Sequence, residues 1–389
     1  MYRKPWERDN PGASPLSGAT SLYESLGVRP LINCRGSYTI IGGSLTLPEV
    51  KQAMDEASRR YVDLDELMEA VGCRLAQITQ ADSAIVTCGC AAAISLAVAA
   101  CIFGTDTEMG RRLPGFTGPK NKVLIPRHSR NPYETALRLM GVALVEVETL
   151  SQLVAACDDQ TAMVYLLSSP EEACCELNVA AVCRIAKAKG IPVFVDAAAE
   201  KLVVPNVHLS SGADLVGYSG GKCLRGPQAS GLLLGRRDLV QAAWLHGAPH
   251  QNIGRSMKVG KEEVMGLLAA VEMWIRRDHD AEWKRWQSWL AHIRDTIQEV
   301  PSVYTKELLP VSLSNYAPRL QVMWSAQSLR LNAGELYSAL DSGEPRIQIA
   351  DPSDNGAESI IIMPYMMEGE EYKVVAESLR AMLSSRISG

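Results

Sequence analysis

The apolar positions change rhythm along the chain. Leu47 to Ser58 reads as a helix with Pro48 in its first turn, where a missing N–H costs nothing. Leu64, Leu67, Met68, Val71, Leu75 and Ile78 then fall on one face of a helix over Leu64 to Gln80. From Ser83 onward short apolar runs alternate with longer segments. Ser83–Thr87, Lys122–Ile125, Ala143–Val147, Ala162–Leu167, Pro192–Asp196, Leu215–Tyr218 and Ala229–Leu234 read as strands. Cys90–Phe103, Pro132–Met140 and Val179–Lys189 read as helices between them. Strands separated by helices of that length predict βαβ units, an α/β fold and a mainly parallel sheet.

After about Arg255 the texture differs. Val264 to Val300 predicts one or two long helices carrying Trp274, Trp283, Trp286 and Trp289. The spacing of three between the last three tryptophans predicts packing in a core or interface rather than a ring platform. The rest, to Gly389, reads as a small α+β domain ending in a helix over Glu370 to Ser384. The first twenty residues are polar and rich in Pro, Gly and Ser, which predicts a mobile arm. The expected division is an arm at 1–20, a large domain at 21–255, and interdomain helices with a small C-terminal domain at 256–389.

Composition narrows the function classes. The chain has 389 residues, 47% hydrophobic and 21% charged, which excludes intrinsic disorder and fibrous repeats. With 39 Lys plus Arg against 44 Asp plus Glu, the net charge of -5 lacks the basic footprint of a general nucleic-acid binder. The ten cysteines have neither metal-ligand spacing nor a secreted disulfide frame, so they predict reduced thiols in a cytoplasmic protein and no metal site. The opening MYRKPWERDNPGASPLSG has no apolar core of a signal peptide. Ala84 to Gly104 is the most apolar stretch, and its Thr87, Gly89 and Ser95 make it a buried helix rather than a membrane span.

In parallel sheets ligands sit beyond the carboxyl ends of the strands, so the residues there carry the chemistry. After the first strand comes Thr87-Cys88-Gly89-Cys90-Ala91-Ala92-Ala93, a glycine at a helix start. Its free backbone N–H groups and the helix dipole make an anion site, and its small side chains let a phosphate approach. The strand Pro192–Asp196 ends in an acid that is costly to bury without a cationic partner. The protonated ring of pyridoxal phosphate is one such partner; capping of the next turn is the simpler alternative. Downstream lies Ser219-Gly220-Gly221-Lys222-Cys223-Leu224-Arg225-Gly226-Pro227-Gln228. A lysine among glycines just after an apolar strand can reach a cofactor aldehyde and then shuttle protons, or else bind a phosphate directly.

These segments resemble the pyridoxal-phosphate enzymes of the aspartate-aminotransferase fold, and within them the group related to selenocysteine synthase and D-glucosaminate-6-phosphate ammonia-lyase. The resemblance rests on Ile32–Val50, Tyr61–Gly72, Thr87–Ala93, Val195–Glu200, Ser219–Gly231 and Asn252–Glu263, in family order. It implies a three-layer αβα cofactor domain and a cytoplasmic homodimer or higher homo-oligomer. It also implies that Lys222 holds the cofactor as a Schiff base, that Asp196 pairs with the ring nitrogen, and that Cys88, Gly89 and Cys90, helped by Ser219, cradle the phosphate. The family usually has serine where this chain has Cys88, which removes a hydroxyl donor. His128 lies where relatives carry a histidine, implying ring stacking or acid/base work. Arg130 and Arg225 are candidate substrate-anion binders, with structural ion pairs as the equal alternative, and Arg346 is a candidate carboxylate fork. Tyr38, and Arg255 with Lys258, are candidates to reach the site from a domain junction or a partner subunit.

The resemblance therefore predicts an enzyme acting on an amino acid through an α-carbanion, with α,β-elimination of ammonia first among its fates. Racemisation, decarboxylation and C–S cleavage are the alternatives. A tRNA-linked selenium transfer is disfavoured by the short, weakly basic N-terminal segment, and a non-catalytic binding role by the presence of Lys222 and Asp196.

Overall fold

The computed structural model describes residues 22–350 and 358–386; the expected arm at 1–20 lies outside them. The chain forms two compact units. The larger comprises Ser37–His279 and Pro310–Tyr316; the smaller takes the described residues of Met1–Gly36, Asp280–Leu309 and Ala317–Gly389. The division thus falls at His279 and not at the expected Arg255. The reason is packing. The helix Lys261–Arg276 lies on Pro48–Ser58 and Leu64–Thr79, both in the larger unit. Gly266 permits that approach, since a Cβ there would stand 2.6 Å from Pro227 Cγ and 2.8 Å from Met54 Cγ.

Twelve strands are found among the described residues. β1 (Leu31–Cys34) belongs to the smaller unit. β2 (Ser83–Thr87), β3 (Lys122–Pro126), β4 (Ala143–Val147), β5 (Thr161–Leu167), β6 (Val193–Asp196), β7 (Leu215–Ser219) and β8 (Gly231–Gly235) build the larger one. They form one sheet in the order β2-β8-β7-β6-β5-β3-β4. Only β8 runs against its neighbours, pairing antiparallel with both β2 and β7. β5, β6, β7 and β8 are buried along nearly their whole length, which is why they read as continuous apolar runs. The helix Gly89–Phe103 is buried on almost every side, and its alanines let it lie close against the sheet. The apolar stretch from Ala84 is therefore a strand and a core helix, and no described helix is long and apolar enough to cross a membrane.

In the smaller unit, β9 (Val303–Leu308), β10 (Arg319–Trp324) and β12 (Ser359–Ile362) form an antiparallel sheet, and β11 (Arg346–Ile349) pairs parallel with β1. β10 alternates buried and half-buried positions, as a sheet with one covered face requires. The helices His279–Ile297 and Glu371–Ser384 cover it. The tryptophan spacing is packing: Trp289 stacks on Tyr372 with ring centroids 5.6 Å apart, and Trp286 meets Tyr365 edge-on at 6.3 Å.

Candidate active site

Three parallel strands of the larger unit end in the residues that matter. β6 closes on Asp196, 2% exposed, at the centre of the sheet. Its Oδ2 accepts from the Tyr165 hydroxyl at 2.7 Å, and its Oδ1 from the Ala198 N–H at 3.0 Å and the Cys90 thiol at 3.5 Å. No lysine, arginine or histidine among the described residues lies within ion-pair distance of it. Hydrogen bonds to a charged group contribute roughly 1.5–3 kcal/mol each, against a burial cost of several kcal/mol. Three neutral donors can hold this carboxylate, yet no positive charge faces it. That is the environment a protonated ring nitrogen completes.

β7 delivers the lysine. Its last residue, Ser219, pairs with Gly231, and the chain then turns through Gly220 and Gly221 to Lys222. The turn is tight: a Cβ on Gly220 would stand 2.1 Å from Ser230 Oγ, and one on Gly221 2.7 Å from Gln228 Oε1. It is clamped from outside. Ser44 Oγ donates to Gly221 O at 2.9 Å, Gln228 Nε2 to the same carbonyl at 3.1 Å, and Arg225 Nε to Leu45 O at 2.9 Å. Lys222 itself is half-buried, and its side chain makes no hydrogen bond or ion pair with a described residue. Its ammonium stands 5.8 Å from the Tyr133 ring centroid. Arg225 is committed to the clamp, with a left-handed φ of 56°, and is not a free anion binder.

β2 leads into the helix Gly89–Phe103. Cys88 occupies the N-cap without a side-chain hydrogen bond to the helix, so the first amides remain open. Gly89 has φ +84° and nothing within 4 Å on its Cβ side. An open, left-handed glycine at the start of a fifteen-residue helix suits a phosphate. Close packing holds the cradle in place: a Cβ on Gly231 would stand 2.4 Å from Gly89 C. Burial, and then the charge of Glu263, push the Cys88 thiol up, so it stays neutral. The Ser219 side chain makes no hydrogen bond with a described residue.

His128 follows β3 in the turn Arg127–Ser129. Its Nδ1 lies 3.6 Å from Cys175 Sγ, and its Nε2 is buried without a partner. Burial depresses its basicity, with the Glu171 charge opposing, so the ring favours its neutral form. The turn connects to Asp196 through Asn131, whose Nδ2 donates to Ser129 O at 2.7 Å and to Tyr165 Oη at 3.2 Å. The segment Pro132–Met140, expected as one helix, is a 3-10 turn over Pro132–Glu134 and a short helix over Thr135–Arg138, because the Asn131 side chain caps Tyr133 N at 2.8 Å.

The remaining arginines divide. Arg130 is spent on Glu134 at 2.5 Å and Glu146 at 2.7 Å. Arg346, on β11 of the smaller unit, bonds Asp341 at 2.7 Å. Arg255 and Lys258 are exposed, make no ion pair with a described residue, and line a cavity of about 450 Å3 with Tyr61, Pro249 and Lys261. Tyr38 belongs to the larger unit and is exposed.

The structure adds residues that the sequence did not single out. Tyr165 reaches Asp196 and is itself held by Asn131, and Ser44 and Gln228 fix the lysine turn. A tyrosine in the otherwise apolar TAMVYLL was the available signal, since a buried hydroxyl demands a partner. Below the site, Glu200 accepts from Ser168 Oγ and pairs with His208 Nε2 at 2.7 Å; only the folded turn after β6 brings these together.

Residues 65–235 match the family model described as Cys/Met metabolism PLP-dependent enzyme. The chain is 32% identical over 336 residues to the D-glucosaminate-6-phosphate ammonia lyase of Salmonella typhimurium, covering 83% of this chain and 88% of the relative. It is 36% identical over 275 residues to the 5'-C-glycyluridine monooxygenase-decarboxylase of a Streptomyces species, covering 67% of each. A solved structure of D-glucosaminate-6-phosphate ammonia-lyase superposes with a TM-score of 0.81 at 28% identity, over 95% of this chain and all of that one. The buried acid without a cation, the free lysine among glycines and the open helix start thus have the relatives that their chemistry calls for. The chain belongs to the pyridoxal-phosphate-dependent enzymes of the aspartate-aminotransferase fold, in the group that includes D-glucosaminate-6-phosphate ammonia-lyase and selenocysteine synthase.

Proposed function

We propose that this chain is a lyase that acts on an amino acid by α,β-elimination: the α-proton and a β-substituent leave, and water then splits the released unsaturated amine into ammonia and a keto acid. The observation that carries the reading is the pairing of chemistries at neighbouring strand ends: Asp196 buried without a cation, and a Lys222 ammonium that makes no hydrogen bond or ion pair with a described residue. Pyridoxal phosphate, when bound, supplies an aldehyde for an amine and a protonated ring that accepts an electron pair. Lys222 Nζ would hold the aldehyde. With the substrate amine in its place, Nζ would be free to take the α-proton and return it. Asp196 holds the charge of the ring nitrogen. The amides of Cys88, Gly89 and Cys90 take the phosphate, and Ser219 adds a hydroxyl. His128, kept neutral by burial, contributes a flat ring and one unpartnered nitrogen rather than a charge. Arg255 and Lys258 are the candidates for a substrate anion, since Arg130 and Arg346 already hold carboxylates. A homodimer or higher homo-oligomer, and the participation of Tyr38, belong to the same proposal.

The likeness to an ammonia lyase over most of both chains supports elimination, and the likeness to a decarboxylase supports loss of carbon dioxide as the second reading. A panel of amino acids and amino-sugar acids, assayed in parallel for ammonia, carbon dioxide and α-proton exchange into heavy water, separates them. Elimination gives ammonia with a keto acid. Carbon dioxide without ammonia would establish the decarboxylase, and exchange alone a racemase.

A further inference from the structure

The two oxygens of Asp196 have different surroundings. Oδ1 takes the Cys90 thiol at 3.5 Å and the Ala198 amide at 3.0 Å; Oδ2 takes the Tyr165 hydroxyl at 2.7 Å. Both side-chain donors stand where hydrocarbon would serve packing equally well. Cys90 opens a helix of alanines, and Tyr165 is the one hydroxyl-bearing residue within the apolar middle of β5. Their directions are fixed. Tyr165 stacks on Phe194 with centroids 6.1 Å apart and planes 8° from parallel, and a Cβ on Gly217 would stand 2.9 Å from Cys90 Sγ. Burial first, and then the charge of Asp196, push the Cys90 thiol and the Tyr165 phenol well up, so both keep their protons and can donate to the carboxylate.

We propose that Cys90 and Tyr165 are positioning residues for Asp196: two neutral donors that keep this carboxylate ionised, so that the proton shared with a cofactor ring stays on the ring nitrogen. The inference deepens the pyridoxal-phosphate reading and rests on it. Removing either donor raises the proton affinity of Asp196. The shared proton then moves from the ring nitrogen toward a carboxylate oxygen, and no other bond changes. A less positive ring withdraws less from the group it shares with Lys222, whose nitrogen becomes more basic. The titratable groups bonded to Asp196 are Cys90 from the helix Gly89–Phe103 and Tyr165 from β5; the charge of Lys222, in the turn after β7, acts on Cys90.

The test is a pH titration of the visible band of the holoenzyme, near ~420 nm for a lysine-bound cofactor, in the wild type, Cys90→Ala, Cys90→Ser and Tyr165→Phe. Tyr165→Phe keeps the ring packing and carries the test even if Cys90→Ala folds poorly. A donor to a charged group contributes roughly 1.5–3 kcal/mol, so the band's midpoint is expected to rise by about half a unit or more in Cys90→Ala and Tyr165→Phe. Cys90→Ser, which restores an X–H donor, returns it toward the wild-type midpoint. Midpoints equal to wild type in both donor-less variants, with cofactor bound, overturn the inference. A wild-type protein that takes up no cofactor from added pyridoxal phosphate overturns the reading of Asp196 and Lys222 itself, and this inference with it.

Discussion

Two carboxylates stand four residues apart after β6, each 2% exposed, and they are satisfied in opposite ways. Glu200 is closed within the protein: one oxygen meets Ser168 Oγ, the other His208 Nε2, which can carry the balancing charge. Asp196 meets a phenol, a thiol and an amide, all neutral. Burial alone therefore does not mark a functional acid. The distinction is whether the fold supplies a cation or leaves its place to a ligand. Glu200 ties the turn after β6 to the end of β5 and to His208, so it belongs to folding, whereas the proposed function gives Asp196 a role in the chemistry.

Substitutions separate the two roles. Lys222→Ala should have the largest effect, abolishing the visible band and lowering turnover by about three to four orders of magnitude, since both the cofactor's amine and the base are lost. Its thermal stability without cofactor should stay near wild type, because the Lys222 side chain makes no hydrogen bond or ion pair with a described residue. Asp196→Asn should come next, with turnover down about a thousandfold and the apoprotein still folded. His208→Ala inverts that pattern. It leaves Glu200 buried without its hydrogen-bond partner and should cost about 3 kcal/mol in urea unfolding, while the molecules that remain folded retain turnover within a few-fold. If Asp196→Asn instead unfolded the protein and His208→Ala silenced a stable one, the assignment of the two acids would have to be exchanged.

The smallest effect concerns the acids that hold Arg130. The Arg130 guanidinium, followed by Arg138, holds Glu134 down at about 2 from its usual 4.5, against the effect of its burial. A depressed carboxylate stabilises the folded state above its unfolded value and loses that contribution as pH falls through its folded one. Glu134→Gln should thus lower the melting temperature slightly at pH 7, and the difference from wild type should shrink from about pH 4.5 toward pH 2. A difference that grew in acid would show that the Arg130 pair contributes through packing and not through charge.

Much of the site was legible because its signals are local. Lys222 announces itself by the glycines around it, and Asp196 by closing an apolar strand. The helix start at Gly89 needs only its own neighbours. What the sequence left hidden joins distant positions. Tyr165 and Cys90 meet at Asp196 from separate elements, and Glu200 finds His208 only after the turn is built. The pairing of β1 with β11 joins residues more than three hundred positions apart, with no periodicity to foretell it. Arg130 shows the limit of local reading: an arginine after a strand suits anion binding and a structural ion pair equally, and the structure shows Glu134 and Glu146 in its grasp.

The central claim is that one amine, that of Lys222, carries the cofactor opposite Asp196. Borohydride reduction of the purified holoenzyme, followed by tandem mass spectrometry, tests it most directly. The account predicts a pyridoxyl-phosphate adduct on the peptide containing Lys222 and on no other lysine. An adduct confined to Lys258 or Lys261, or an intact Lys222 in protein that has taken up the cofactor, would contradict it.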